Sequence, residues 1–372
     1  MKIALLTYST RPRGSVVHTL ALAEALARSG AEVAVWTLGR GGDVGFFRAV
    51  DPAVRLQVIA FPDVPDESVG ERVLRSIDVM RSAFRPHDYD VVHAQDCISA
   101  NAAGRCIRTV HHIDSFSTPE LAACHERAIV EPFAHVCVSA AVAGELARGW
   151  GIEASVIGNG VDAQRFAVAA SADPTATAAR EGWRRRLGPY VLAVGGIEPR
   201  KGTLDLVEAY ALLRPQHPDL ALVVAGGETL FDYRDYRAAV DTRAAELGVQ
   251  LTVLGPVDHD ELPALVAAAQ AFAFPSTKEG FGLAAMEALA AGVPLVTRDL
   301  LVLREVFGSA PLFASDPLGF ARQLARVLDG DATTVQRRER GRRIAGQHSW
   351  DAAAAAHLEL YRRCAAYPLP HG

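Results

Sequence analysis

FAFPSTKEGFGLAAMEALAAGVPLVT, residues 272–297, spells strand, loop, helix, turn and strand in one run. Phe272–Phe274 is short, apolar and aromatic, which suits a buried strand. Pro275, Ser276 and Gly280 break it into a loop. From Phe281 to Ala291 the helix formers Leu, Ala, Met and Glu take over. Gly292 stops that helix, and Val293–Thr297 is the next apolar strand. Glu279 lies in the loop, and Glu287, eight residues on, lies on the helix. The amides of Gly280, Phe281, Gly282 and Leu283 precede the first helical hydrogen bond, which makes them a ready anion site. Carboxylates for hydroxyls beside amides for phosphate suit a sugar nucleotide.

The same alternation runs outward in both directions. Ile3–Thr7 is a buried-type strand, and Tyr8–Ser15 is a loop carrying Arg11, Arg13 and Gly14. Val17–Ser29 is a helix closed by Gly30, and Glu32–Trp36 is a strand. That is a βαβ unit, parallel and right-handed by rule. Strand and helix patterns continue to Ser155–Ile157. Ala167–Ala179, rich in Ala, Ser, Thr, Asp and Pro with no apolar period, reads as a linker. The alternation restarts at Tyr190–Val194, followed by the Gly195–Gly202 loop and later by Leu220–Ala225 with Gly226-Gly227. The expected class is α/β, with two doubly wound parallel-sheet domains, 1–167 and 181–349, joined by 168–180. Their ligand sits at the carboxyl ends of the strands, in the cleft between them.

Composition narrows the function. The net charge of −5 gives no general pull toward nucleic acid. Lysine occurs only at Lys2, Lys201 and Lys278 in a chain whose basic residues are otherwise arginine. Five cysteines without a CxxC pair point to reduced thiols and a cytoplasmic setting. No apolar run of about 18 residues occurs, so no transmembrane segment is expected, while a peripheral membrane contact is left open. Lys2–Thr10 reads as a first strand, not as a signal segment.

The ordered motifs then resemble a family. EGFGLAAME (279–287) with AAGVPLVT, NGVD (159–162), VGGIEPRKG (194–202), VVAGG (223–227), LGPVDHDEL (254–262) and the late SWDAAAAAHLELY are similar to the retaining glycosyltransferases of family 4. The likeness covers nearly the whole chain. It implies the GT-B fold, two Rossmann-like domains, with a last helix (350–364) that crosses back onto the first. It implies a nucleotide-diphosphate sugar donor in the second domain and a hydroxyl acceptor in the first, with no cofactor and no metal. By the same likeness Glu287 binds ribose hydroxyls, Glu279 binds the transferred sugar, and Lys201 neutralises the diphosphate. Relatives carry an arginine where Gly196, after Gly195, stands here, and Arg200 is the substitute at hand. Gly14-Ser15 stands where relatives carry Gly-Gly. His111 takes the place of a histidine that touches the sugar, with His112 as the alternative register.

Other readings stay beside this one. An epimerase on the same fold, or a sugar-nucleotide binding protein without catalysis, would share these motifs. A phosphorylase needs a pyridoxal-binding lysine and is poorly supported by a chain of three lysines in which Lys201 goes to the diphosphate. A nicotinamide oxidoreductase lacks G-x-G-x-x-G after its first strand. Asp88-Tyr89-Asp90 precedes a strand, and Asp258-His259-Asp260 reads as a helix N-cap, not as metal ligands. His93, Asp96, His111 and Asp114 lack metal-ligand spacing. Lys278 reads as a solvated neighbour of the site, and His18 as a histidine on the surface of the first helix.

Overall fold

The computed structural model describes residues 1–372 apart from 115, 117, 227–232 and 367–372. Gly227, counted above in a loop motif, therefore lies outside the described residues. The chain forms two units. One comprises Met1–Gly160 together with the segment from Trp350 on, and the other is Val161–Ser349.

The first unit is built on seven strands: β1 (Lys2–Leu6), β2 (Glu32–Arg40), β3 (Val54–Phe61), β4 (Val91–Ala94), β5 (Ile107–Val110), β6 (Ala134–Cys137) and β7 (Ser155–Val156). They run in the order β3-β2-β1-β4-β5-β6-β7, every neighbouring pair parallel. Ile3, Ala4, Leu5 and Leu6 of β1 are all fully buried, as a central strand covered on both faces requires. The Gly14–Arg28 helix lays Leu20, Leu22 and Leu26 into this core. Ala353, Ala354, Leu360 and Tyr361 of the Trp350–Ala366 helix join the same cluster.

The second unit carries β8 (Tyr190–Val194), β9 (Ala221–Ala225), β10 (Leu251–Gly255), β11 (Ala271–Phe274), β12 (Leu295–Arg298) and β13 (Leu312–Ala314). Their order is β10-β9-β8-β11-β12-β13, again parallel throughout. Val191, Leu222, Ala273 and Val296 pack with Leu206, Leu213, Phe320 and Leu324 from the flanking helices.

Strand order locates the sites. In the first unit the winding reverses between β1 and β4, and in the second between β8 and β11. At such a reversal the two outgoing loops diverge to opposite faces and leave a crevice at the strands' carboxyl ends. The loop after β1 leads to Gly14. Those after β8 and β11 carry Lys201 and Glu279.

Three sequence expectations need correction. The supposed linker 168–180 is largely helical: Ala163–Ala169 and Pro174–Leu187 are both helices. Asp173 caps the second by accepting the Thr175 and Ala176 amides at 2.9 and 3.2 Å, with Pro174 in its first turn. No residue of that helix is buried, so it shows no apolar stripe to read. The first helix begins at Gly14, not Val17, which makes Gly14 and Ser15 its opening residues. Asp258 does not cap a helix. It accepts the Asp260 amide at 2.8 Å in a local turn, and Glu261 is the N-cap of the Leu262–Ala268 helix.

Candidate active site

In the second unit β8 ends at Val194, and Gly195–Glu198 leads into a 3-10 turn, Pro199–Lys201. Gly202 then turns left-handed (φ 66°) and caps the Thr203–Leu213 helix. A Cβ at Gly202 would collide with the Pro275 carbonyl, so only glycine lets the Lys201 turn lie against the loop after β11. That carbonyl is itself anchored. Arg298, 8% exposed, donates to it through Nε at 3.1 Å and Nη2 at 2.9 Å, and also pairs with Asp205. The two loops are further tied by the Thr277 amide, which donates to the Arg200 carbonyl at 2.8 Å.

The clamped loops bring three predicted residues together. Lys201 Nζ lies 2.6 Å from Glu279 Oε1, and Arg200 Nη1 lies 3.2 Å from the same oxygen. Arg200 also pairs with Glu198 at 2.6 Å. Lys201 Nζ sits 5.3 Å from the centre of the Phe274 ring. A shallow pocket opens here, lined by Gly195, Gly196, Lys201, Phe274, Pro275 and Ser276. Ser276 Oγ is buried and has no hydrogen-bond partner. Glu198, Ser276 and Arg298 were not singled out from sequence. Only Arg298 left a trace there, as a charged residue closing an apolar strand.

Beyond Glu279 the chain turns through Gly280, Phe281 and Gly282 into the Leu283–Ala290 helix. The first backbone bond into this helix runs from the Met286 amide to the Gly282 carbonyl, so the preceding amides have no partner within it. Gly282 has φ 91°, and a Cβ there would stand 2.9 Å from Phe307 Cζ and 3.2 Å from Phe274 Cε1. Phe281 is buried, edge-to-face with His348 at 5.6 Å. Glu287 is half-buried on the second turn. Burial pushes its carboxyl up to about 7, with Arg165 drawing it down and Asp162 raising it further.

In the first unit His111 follows β5 directly and is half-buried, its Nε2 enclosed and without a partner. Burial first, then His18, Arg108, His112 and His93, hold it well below the usual imidazole range, so it is neutral. His112 points to different company: its Nε2 is 2.7 Å from Asp114 Oδ2. Gly14 opens its helix with open space where a Cβ would stand. His18 is no surface residue. It is 1% exposed, one turn into the same helix.

Two sequence profiles match this chain. "Glycosyl transferases group 1" matches residues 179–344, and "Glycosyltransferase Family 4" matches residues 12–165. Glycogen synthase of Mycobacterium tuberculosis is 31% identical over 77% of this chain and 71% of its own length. The chain belongs to glycosyltransferase family 4.

This glycosyltransferase is also 29% identical to D-inositol 3-phosphate glycosyltransferase of Salinispora arenicola, over 94% of this chain and 86% of that one. Its GT-B fold is shared with sucrose-phosphate synthase of Thermosynechococcus elongatus (TM-score 0.78, 21% identity, 98% of this chain and 99% of the other). It is shared as well with Anabaena HepE, solved with UDP-glucose (TM-score 0.74, 19% identity, 97% and 100% covered). Among the described residues no helix of the glycosyltransferase is long and apolar enough to cross a membrane.

Proposed function

We propose that this glycosyltransferase moves a sugar, with retention, from a nucleotide-diphosphate sugar to a hydroxyl acceptor without a metal ion. The observation that carries the reading is the convergence of Lys201, Arg200 and Glu279 beside the amides that lead into the Leu283–Ala290 helix. When the glycosidic bond breaks, negative charge grows on the departing diphosphate. Lys201, Arg200 and the amides from Gly280 to Leu283 supply fixed positive charge and N–H donors for it. Glu279 takes the sugar hydroxyls, Glu287 the ribose hydroxyls, and Gly195 and Gly196 leave the backbone bare beside the phosphates.

In the first unit the acceptor hydroxyl is held, and Gly14 and Ser15 offer an open helix start. Neutral His111 presents its ring to the transferred sugar as a hydrogen-bond partner without charge. The acceptor oxygen attacks from the face the diphosphate leaves, and its proton passes to the departing phosphate. No carboxylate of the protein needs to become a nucleophile. The relative solved with UDP-glucose supports a donor of this class.

A thermal-shift panel with UDP-glucose, GDP-mannose, UDP and GDP tests the donor class. A bound donor raises the melting temperature by mass action, by about 2.7 kcal/mol of stability at a hundred times Kd. No shift with any of them rejects the reading. Full turnover in EDTA is the expected result for a metal-free reaction, and loss restored by magnesium rejects that part alone.

A further inference from the structure

The chain passes between its two units at Gly160–Val161 and at Ser349–Trp350. On the second unit's side the two passages are joined, the Val161 amide donating to the His348 carbonyl at 2.9 Å. On the first unit's side both end on one imidazole. His18 Nδ1 is 2.9 Å from Oδ1 of Asn159, the residue before Gly160. Its ring meets Trp350, the first residue after the return passage, edge-to-face at 5.3 Å. The same ring stands edge-to-face against His111 at 4.8 Å.

The chemistry of this contact is defined. Asn159 Oδ1 can only accept, so His18 carries its proton on Nδ1 and a lone pair on Nε2. That Nε2 is buried without a partner, as are Nε2 of His111 and of His357, whose ring lies 6.3 Å from His18. Burial, the largest effect, followed by His357, lowers His18 to about 3, so it is a neutral, packed ring and not a charged one. A helix surface residue would not be enclosed on three sides by a crossing segment, a returning helix and a site histidine. Behind it His93, by contrast, is satisfied at both ends, by Tyr361 of the returning helix and Thr109 of β5, each at 2.7 Å.

We propose that His18 is a positioning residue that couples both passages of the chain to His111. Hinge segments absorb the backbone change when units move, so a side chain gripping both of them reads their state. His18 transmits that state to His111, whose ring it meets edge-to-face. This rests on the reading of His111 given above.

Two measurements test it. The first needs no ligand: amide hydrogen exchange of the whole chain, wild type against His18→Ala. Faster exchange is expected together around Asn159, around Trp350 and at the His111 end of β5, with β8–β13 unchanged. His18→Asn, whose Nδ2 stands where Nδ1 does, should restore protection around Asn159 and not at His111. A rise confined to the Gly14–Arg28 helix, or spread over the whole unit, overturns the proposal. The second is kinetic, with UDP-glucose or GDP-mannose, whichever is turned over. His18→Ala should lower kcat about 10- to 100-fold with the Kd of the nucleoside diphosphate unchanged. The pair His18→Ala, His111→Ala should be no slower than His111→Ala, because one acts through the other. Multiplied losses, or an unchanged kcat, overturn it. Full turnover by His111→Ala instead removes His111 from the site, a failure of the functional reading that leaves the exchange result standing.

Discussion

Lys201 Nζ and Glu279 Oε1, 78 residues apart in sequence, lie 2.6 Å apart on two loops that diverge from neighbouring strands. The pair is partly buried, with side chains 20% and 10% exposed. Arg200 shares the same carboxylate oxygen and is also paired with Glu198, so the two cations are held in place by two acids. On the proposed reading, a diphosphate entering beside them finds its cationic partners already oriented, which lowers the reorganisation that charge stabilisation would otherwise require.

Lys201→Ala should lower turnover about 10²- to 10³-fold, the loss typical of removing one preorganised donor from a developing anion. Steady-state kinetics with calorimetry of UDP and GDP binding check it. Wild-type turnover in this variant would assign the diphosphate to other groups.

Glu279→Gln keeps the shape and removes the charge that Lys201 and Arg200 share. Turnover should fall while binding of the nucleoside diphosphate holds or tightens, since the two cations no longer have a competing carboxylate. Weaker diphosphate binding in this variant would mean that Glu279 orients the cations instead.

Glu287 gives nucleotide affinity a pH dependence whose sign is fixed. On the proposed reading, ribose hydroxyls donate to the ionised carboxylate, and in the unliganded protein that form prevails only above about 7. Affinity for UDP or GDP should therefore be full above pH 8 and weaken as pH falls through 7, approaching tenfold per unit. Glu287→Gln should bind more weakly at pH 8.5, and its deficit against wild type should shrink toward pH 5.5, the titration of the nucleotide's own phosphate near about 6 being common to both proteins. The same raised carboxyl implies that ionising Glu287 costs stability. Glu287→Gln should accordingly melt above wild type at pH 8, with the gap closing by pH 5. An unchanged pH profile measured by calorimetry would take Glu287 away from the ribose.

Gly282→Ala should destabilise the protein by about 1–3 kcal/mol, since it combines a left-handed backbone with a methyl driven toward Phe307 and Phe274. Urea unfolding of the variant checks this. A loss under about 0.5 kcal/mol, the range of an ordinary surface change, would show that the loop can shift aside.

Most strands were legible because each lies buried on both faces and so leaves a short, unbroken apolar run. β1 and β11 are the clearest examples, every residue of AFAF and all but the first of KIALL being buried. The Pro174–Leu187 helix was not legible, because a helix with no buried residue has no period to detect and Asp173 and Pro174 mark only its start. His18 was misread for a related reason. Its neighbours Trp350, His357 and Asn159 lie more than a hundred residues away in the chain, and a lone polar residue on a helix says nothing about what is folded over it.

The local order of residues determined what local rules govern: two alternating α/β halves, the glycine-broken loop with Glu279, the amides ahead of the Leu283 helix, and a lysine after the strand β8. Only the tertiary structure decided how those pieces act on one another. The reversal of winding between β8 and β11 places Lys201 on Glu279, and Arg298 pins the carbonyl against which Gly202 turns. Burial raises the Glu287 carboxyl, with Arg165 opposing the rise and Asp162 adding to it, and the returning helix encloses His18 beside His111. Each of these depends on dielectric and distance between residues remote in sequence, quantities that exist only once the chain has folded.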